Sequence, residues 1–350
     1  MQKNDENRAA RPAFMGTESL LNISRGPVVD ENLYDNRQER AAALEEITGH
    51  SLRTFTLENE RISAVIARVQ KELEEGAVAP ADLRKLRDIG IHYAKKGDLI
   101  YPLLRTRYEI SGPSEVLWPE DDEIRDEIVR LTRSDTRDDL WKEHLRTVLK
   151  RAEDMVFKES NMLFPVCAAH VSENEWRQIY RDAKDYDTVL DTPAEIWAEA
   201  EEESDAHAAD GWAEAASDLH AADGWVEMPG GRLSVRQLTA LLNTIPMEIS
   251  FVDEDDINRY FNEGHKVFKR PSMALGREVF ACHPPTIEPM VRSIIDDFRS
   301  GLRDCVPVWV ERNGRPFLVK YMAVRDRTGA YVGTLELVQD MEEARKHFSK

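Results

Sequence analysis

Cys282 and His283 stand directly before Pro284 and Pro285. The two prolines fix the backbone beyond the imidazole and stop a helix from running through it. An imidazole held in this way has three uses: packing or capping the turn before the next helix, where Thr286 is a good N-cap; donating a hydrogen bond to a small acid; or ligating a haem iron. The first is the simplest and is the expectation. The Cys282 thiol is read either as redox-active or as a small buried hydrophobe, with the second preferred. Three cysteines, Cys167, Cys282 and Cys305, show no CxxC spacing, so neither a disulfide framework nor a thiolate zinc site is indicated. No glycine-rich phosphate loop, nucleophile elbow or metalloprotease motif occurs, and a conventional enzyme is not expected.

The elements that would carry such groups change character along the 350 residues. Residues 1–36 combine prolines, glycines and polar residues without a period and read as an irregular leader. From about residue 37 to 182 apolar residues recur at helical spacing, as in Phe55, Ile62, Val65, Ile66, Val69 and Leu73. Helices are predicted at about 37–48, 51–75, 81–108, 120–133 and 138–168, joined by short loops as in a four-helix bundle. Residues 185–231 contain 14 Asp and Glu and no Lys or Arg, most of the net charge of −19, and residues 183–232 are read as an acidic linker. The linker holds the sequence HAADGW twice, at 207–212 and 220–225. Duplicated linker is the plain reading; a docking motif presenting Trp212 and Trp225, or metal capture by the two histidines, are the alternatives.

Beyond residue 233 the period becomes that of strands, at 248–253, 258–261, 307–311, 317–324 and 331–338, with an amphipathic helix at 286–300. An α+β domain with a five-stranded antiparallel sheet is expected there. The negative balance disfavours nucleic acid and anionic membrane surfaces. No run is long and apolar enough to span a bilayer and no secretory leader is present, so a cytoplasmic protein is expected.

The words LNTIPMEISFVD (242–253), YF (260–261), ACHPP (281–285), DFRSG (297–301), YMAVRD (321–326) and GTLELVQD (333–340) resemble the PAS domain of a bacterial family. In that family an uncharacterised N-terminal segment, a hemerythrin-like HHE bundle and a PAS domain share one chain. The resemblance implies a pocket between sheet and helices that takes a small molecule or cofactor, haem included. His283, Cys282, Tyr260, Phe251, Trp309 and Tyr321 are the candidate lining residues, although alternation turns about half of the strand residues away. It also implies relay to a signalling partner through flanking helices or a homodimer, with the helix after Asp340 as the flanking element.

The bundle resembles the HHE half of that family through GHSLRTF (49–55), IHYAKKGDLIYP (91–102), ISGP (110–113), WPEDDEIR (118–125) and KESNMLFP (158–165). The resemblance implies histidines and carboxylates converging on non-haem iron. Three positions depart from the pattern: Arg53 stands for a histidine, Gly97 for a carboxylate and Met155 for the histidine of an HxxxE pair. The remaining metal candidates are His50, His92, Asp122 or Glu123, His144 and Glu159. His144 and Glu159 lie on one helix roughly 22 Å apart and cannot share a centre. His92 and Glu159 both precede a proline-containing apolar word and are expected at one depth. A partly degenerate bundle beside a PAS sensor, with output left to a partner, is the expectation. An iron protein sensing or handling oxygen or nitric oxide or repairing iron centres, and a scaffold without ligands, are the alternatives.

Overall fold

The structure, a computed structural model, describes residues 36–202, 224–264, 266–312 and 314–348. Its helical part runs α1 (Arg37–Glu45), α2 (Ser51–Glu74), α3 (Pro80–Leu86), α4 (Ile89–Lys95), α5 (Tyr101–Arg107), α6 (Trp118–Arg133), α7 (Asp139–Lys158), α8 (Phe164–His170), α9 (Glu173–Ala183) and α10 (Ala198–Glu202). The buried stripe of α2, Leu52, Phe55, Ile62, Val65, Ile66, Val69 and Leu73, packs against α7 and α3. Gly49 opens this helix at φ +79°, and a Cβ there would lie 2.3 Å from the backbone of Ile196 and Trp197, so only glycine fits.

The predicted helix at 81–108 is not continuous. A π-helical turn at Lys96–Ile100 separates α4 from α5, and similar turns at Pro113–Leu117 and Glu159–Leu163 precede α6 and α8. Each turn feeds an aromatic residue and then a proline, namely Tyr101-Pro102, Trp118-Pro119 and Phe164-Pro165. Proline has no N–H for the ordinary ladder and its ring collides with the carbonyl one turn back. Widening the turn before it lets the helix pass through. Two of the widened turns begin with a charged residue that lies in the core, Lys96 and Glu159.

The acidic segment departs from its reading as linker over its first part. Val189, Leu190, Trp197 and Ala200 are buried against the bundle, and Glu195 accepts hydrogen bonds from Arg53 and from the Gly49 amide. Four apolar side chains outweigh the acidic composition around them. The first HAADGW copy, and the second as far as Asp223, lie outside the described residues; Trp225 is exposed. No described helix is long and apolar enough to cross a membrane.

The C-terminal part begins with a hairpin, β1 (Trp225–Met228) and β2 (Gly231–Ser234), followed by α11 (Val235–Thr244). Strands β3 (Glu248–Asp253), β4 (Asn258–Phe261), β5 (Cys305–Arg312), β6 (Arg315–Arg325) and β7 (Tyr331–Asp340) form one antiparallel sheet in the order β4-β3-β7-β6-β5. Helix α12 (Glu288–Ser300) lays Ile294, Ile295 and Phe298 on the sheet, and α13 (Glu342–Phe348) ends the described chain. Thr286 is not the cap of α12; Ile287 holds that position and Pro289 occupies the first turn.

The two parts are joined by specific contacts. The Asp182 carboxylate, on α9, accepts from the Ser272 amide at 3.1 Å, the Ser272 hydroxyl at 2.8 Å and the Met273 amide at 3.0 Å. The Met273 side chain is buried in the bundle core. Arg105 on α5 donates to Glu288, the first residue of α12, at 2.6 Å.

Candidate functional site

Two places gather the candidate residues. In the bundle, His92 lies between two carboxylates, with Nδ1 2.7 Å from Glu58 and Nε2 2.9 Å from Glu159. Lys95 donates to Glu58, and Lys96 donates to Glu159 and, at 2.9 Å, to Asp121. The Tyr101 hydroxyl donates to the other Asp121 oxygen at 2.6 Å. The side chains of His92, Lys96 and Glu159 are fully shielded from solvent.

Three carboxylates therefore face two ammoniums and an imidazole. Both imidazole nitrogens meet carboxylate oxygens, which only accept unless protonated, so one proton beyond that of the neutral imidazole binds the group and makes it neutral. Burial opposes charge on His92, but Glu159 and Glu58 outweigh it and raise its pKa. Burial likewise opposes the Glu159 anion, and Lys96 and His92 overcome it and hold that carboxyl low. At Asp121 burial prevails over Lys96 and Tyr101 and the pKa is raised.

The network does not fit a di-iron centre. An ammonium stands between Asp121 and Glu159, and it has no lone pair to offer a metal. Both nitrogens of His92 are engaged. A Cβ at Gly97 would approach the Trp118 indole nitrogen to 3.0 Å, so the indole fills the space of the missing carboxylate. Among the described residues no group of three or more His, Cys, Asp and Glu is arranged to hold a metal ion.

Of the metal candidates, only His92 and Glu159 meet, at one depth as expected. His50 is the N-cap of α2; its Nδ1 accepts from the Leu52 amide, and its ring lies against Trp176 and Trp197. Burial lowers its pKa to about 4. Asp122 turns to Arg125 and Glu123 to Arg151, while His144 pairs with Glu127 on the outside of the bundle. Helical geometry explains the difference: Asp121 shares the inward face with Ile124, Ile128 and Leu131, and its two neighbours point away. Glu58, Lys95, Lys96, Asp121 and Tyr101 are the members absent from the candidate set.

The second place is a cavity of about 70 Å³ between α12 and the sheet. Val252, Val279, Met290 and Val291 line it with His283, Tyr321, Thr334 and Glu336. His283 Nδ1 donates to the Val279 carbonyl at 2.8 Å, leaving the lone pair on Nε2, and burial keeps the ring neutral by lowering its pKa. Glu336 is held by Arg270 at 2.7 Å, and Arg270 also donates to Ser250 at 3.0 Å. Burial, reinforced by Glu336, raises the Tyr321 phenol.

Register decides which strand candidates reach this cavity. Val252, Thr334, Glu336 and Tyr321 share one face, whereas Phe251 opposes Tyr260 and Leu335 on the other, and Trp309 opposes Leu318 there. Phe251, Tyr260 and Trp309 are therefore not lining residues, and Trp309 is 65% exposed. Cys282 faces Asn258 at 3.7 Å, and burial pushes its thiol up to about 11, which makes it a poor nucleophile. Drug-sized ligands occupy roughly 300–1,000 Å³, and a haem does not fit here.

Comparison with known proteins follows the same division. Residues 50–167 match the hemerythrin HHE cation binding domain and residues 238–342 match the PAS domain. No curated protein matches the chain. Among solved structures, a C-terminal domain from Streptococcus mutans is 37% identical, covering 36% of this chain and 98% of that one, with a TM-score of 0.35. A sensory box sensor histidine kinase from Vibrio cholerae is 14% identical, over 29% of this chain and 87% of that one, with a TM-score of 0.23. A PAS domain from Colwellia psychrerythraea is 15% identical, over 31% and 98%, with a TM-score of 0.24. The chain therefore carries a hemerythrin HHE domain followed by a PAS domain.

Proposed function

We propose that the chain is a signal-sensing protein without chemistry of its own, whose PAS cavity takes a small polar ligand and whose bundle receives the result. One observation carries this reading: α12 lines the cavity with Met290, Val291 and Ile294, and the same helix holds the bundle through Glu288 and Arg105. A ligand that moves α12 by a fraction of an ångström must load or strain that ion pair. The cavity suits a molecule of a few non-hydrogen atoms with one acidic or amide group, which would meet His283 Nε2, Tyr321 or Thr334. The bundle, with an ammonium in place of metal, acts as a rigid receiver instead of an iron carrier. Output passes to a signalling partner or a second copy, for which the outer sheet face with Trp309 and the helix α13 are the candidate surfaces. Three free cysteines and the lack of a long apolar helix among the described residues support a cytoplasmic setting.

The test is hydrogen exchange on the full chain, with short carboxylic acids and amides as probes. A probe that binds is expected to protect α12 and also to alter exchange in α5, and Glu288→Ala should abolish the second effect while keeping the first. Binding without any response in α5, or a response that survives Glu288→Ala, would remove the relay. Failure of every probe to bind, or binding unchanged in His283→Phe, would remove the cavity as the sensing site.

A further inference from the structure

The geometry points to a second binding site, in the cleft between bundle and PAS domain, for a small oxyanion ligand that bridges Arg107 and Arg277. The cleft encloses about 810 Å³, within the range of sites for small molecules. Arg105 and Arg107 line it from the bundle and Arg277 from the PAS domain. Arg105 is already paired with Glu288. Arg277 is not: half-buried, its guanidinium makes no hydrogen bond or ion pair among the described residues.

Two acidic groups share the cleft, and neither makes an ion pair with Arg277 among the described residues, although Glu175 lies near enough to favour its charge. Glu175 accepts from the Tyr108 hydroxyl and from Ser172, and lies 3.7 Å from Arg107, so its oxygens are engaged. Glu278 is exposed on the rim and forms no ion pair among the described residues. Burial is the main cause that lowers the Arg277 pKa and Arg107 adds to it, and together they prevail over Cys282, Glu175 and Asp182, which favour the cation. A half-buried charge that faces a like charge is costly until an anion enters. Guanidinium forks match carboxylate and phosphoryl oxygens two at a time, which suits a ligand carrying either group. Such a ligand would tie the two domains together at a point separate from the PAS cavity, because none of these arginines lines that cavity.

The experiment is a thermal-shift and calorimetric titration of the full chain with inorganic phosphate and with succinate, at constant ionic strength balanced by chloride. Saturable stabilisation by at least one probe is expected, and Arg277→Gln should weaken it by about tenfold or more, with a smaller loss in Arg107→Gln. A response to phosphate alone assigns phosphoryl ligands, and a response to succinate alone assigns dicarboxylates. Without ligand, Arg277→Gln should be at least as stable as the parent, since it removes an unpaired cation. The response should persist in His283→Phe, which keeps this site distinct from the sensing cavity. No saturable effect from either probe, or an effect unchanged in Arg277→Gln, overturns the proposal.

Discussion

The Lys96 ammonium donates to the Asp121 carboxylate at 2.9 Å with both groups withdrawn from water. In water such a pair contributes little, but in the core each charge depends on the other to offset the loss of its hydration. The bundle thus holds a cation in its core by covalent attachment.

Removing that cation should be expensive. Lys96→Met leaves Asp121 with Tyr101 alone and Glu159 with His92 alone, two buried carboxylates without the cation between them, and a loss of about 3–5 kcal/mol is expected in urea denaturation. Adding Asp121→Asn and Glu159→Gln should recover part of it. Lys142→Met at an exposed pair should change stability by less than about 0.5 kcal/mol.

The same ammonium should govern metal affinity. Dialysed parent protein is expected to hold far less than one iron per chain by elemental analysis, and Lys96→Ala should bind manganese or zinc at least about tenfold more tightly in calorimetry. One or more irons per parent chain would contradict the argument from Lys96 and Gly97.

Asp98 supplies a pH dependence with a definite sign. Its carboxyl, which accepts from the Tyr186 hydroxyl at 2.6 Å, is raised from 3.8 to about 6, chiefly by burial. The folded chain holds this proton more tightly than the unfolded chain, so stability falls as pH climbs through this window and the penalty is complete above it. Asp98→Asn should therefore gain on the order of 1–2 kcal/mol at about pH 7 and almost nothing at about pH 4. Urea midpoints at the two values measure it.

Asp182 should control how the domains are joined. Asp182→Ala forfeits three accepted hydrogen bonds at Ser272 and Met273, a loss of about 1–3 kcal/mol. Faster amide exchange at Met273 and a larger radius in solution scattering are the expected readouts.

Much of this was legible in the apolar stripes. Glu58 falls on the buried stripe of Phe55 and Ile62, and Asp121 on that of Ile124, Ile128 and Leu131, so a carboxylate on an inward stripe was the available signal. Asp122 and Glu123, which the resemblance offers, lie off that stripe. The strand alternation that separates Tyr321 from Phe251 was equally visible, but the face it selects depends on strand pairing over long distances. The widened turns were not legible: a proline announces a break, and whether the helix stops or absorbs it depends on packing that no local pattern encodes. Residues 184–201 were hidden by composition, with Val189, Leu190 and Trp197 the only sign of an apolar anchor.

The bond between Lys96 and Glu159 joins residues 63 apart in sequence, and it can be made only when the helices that shield it are assembled. Dehydrating either charge before its partner arrives is unfavourable, so the pairing belongs to the last steps of folding. Contacts that form after the folding barrier slow the reverse reaction without hastening the forward one. The charged core therefore acts as a latch in time: what it contributes to equilibrium stability appears as a longer life of the folded bundle and not as faster folding.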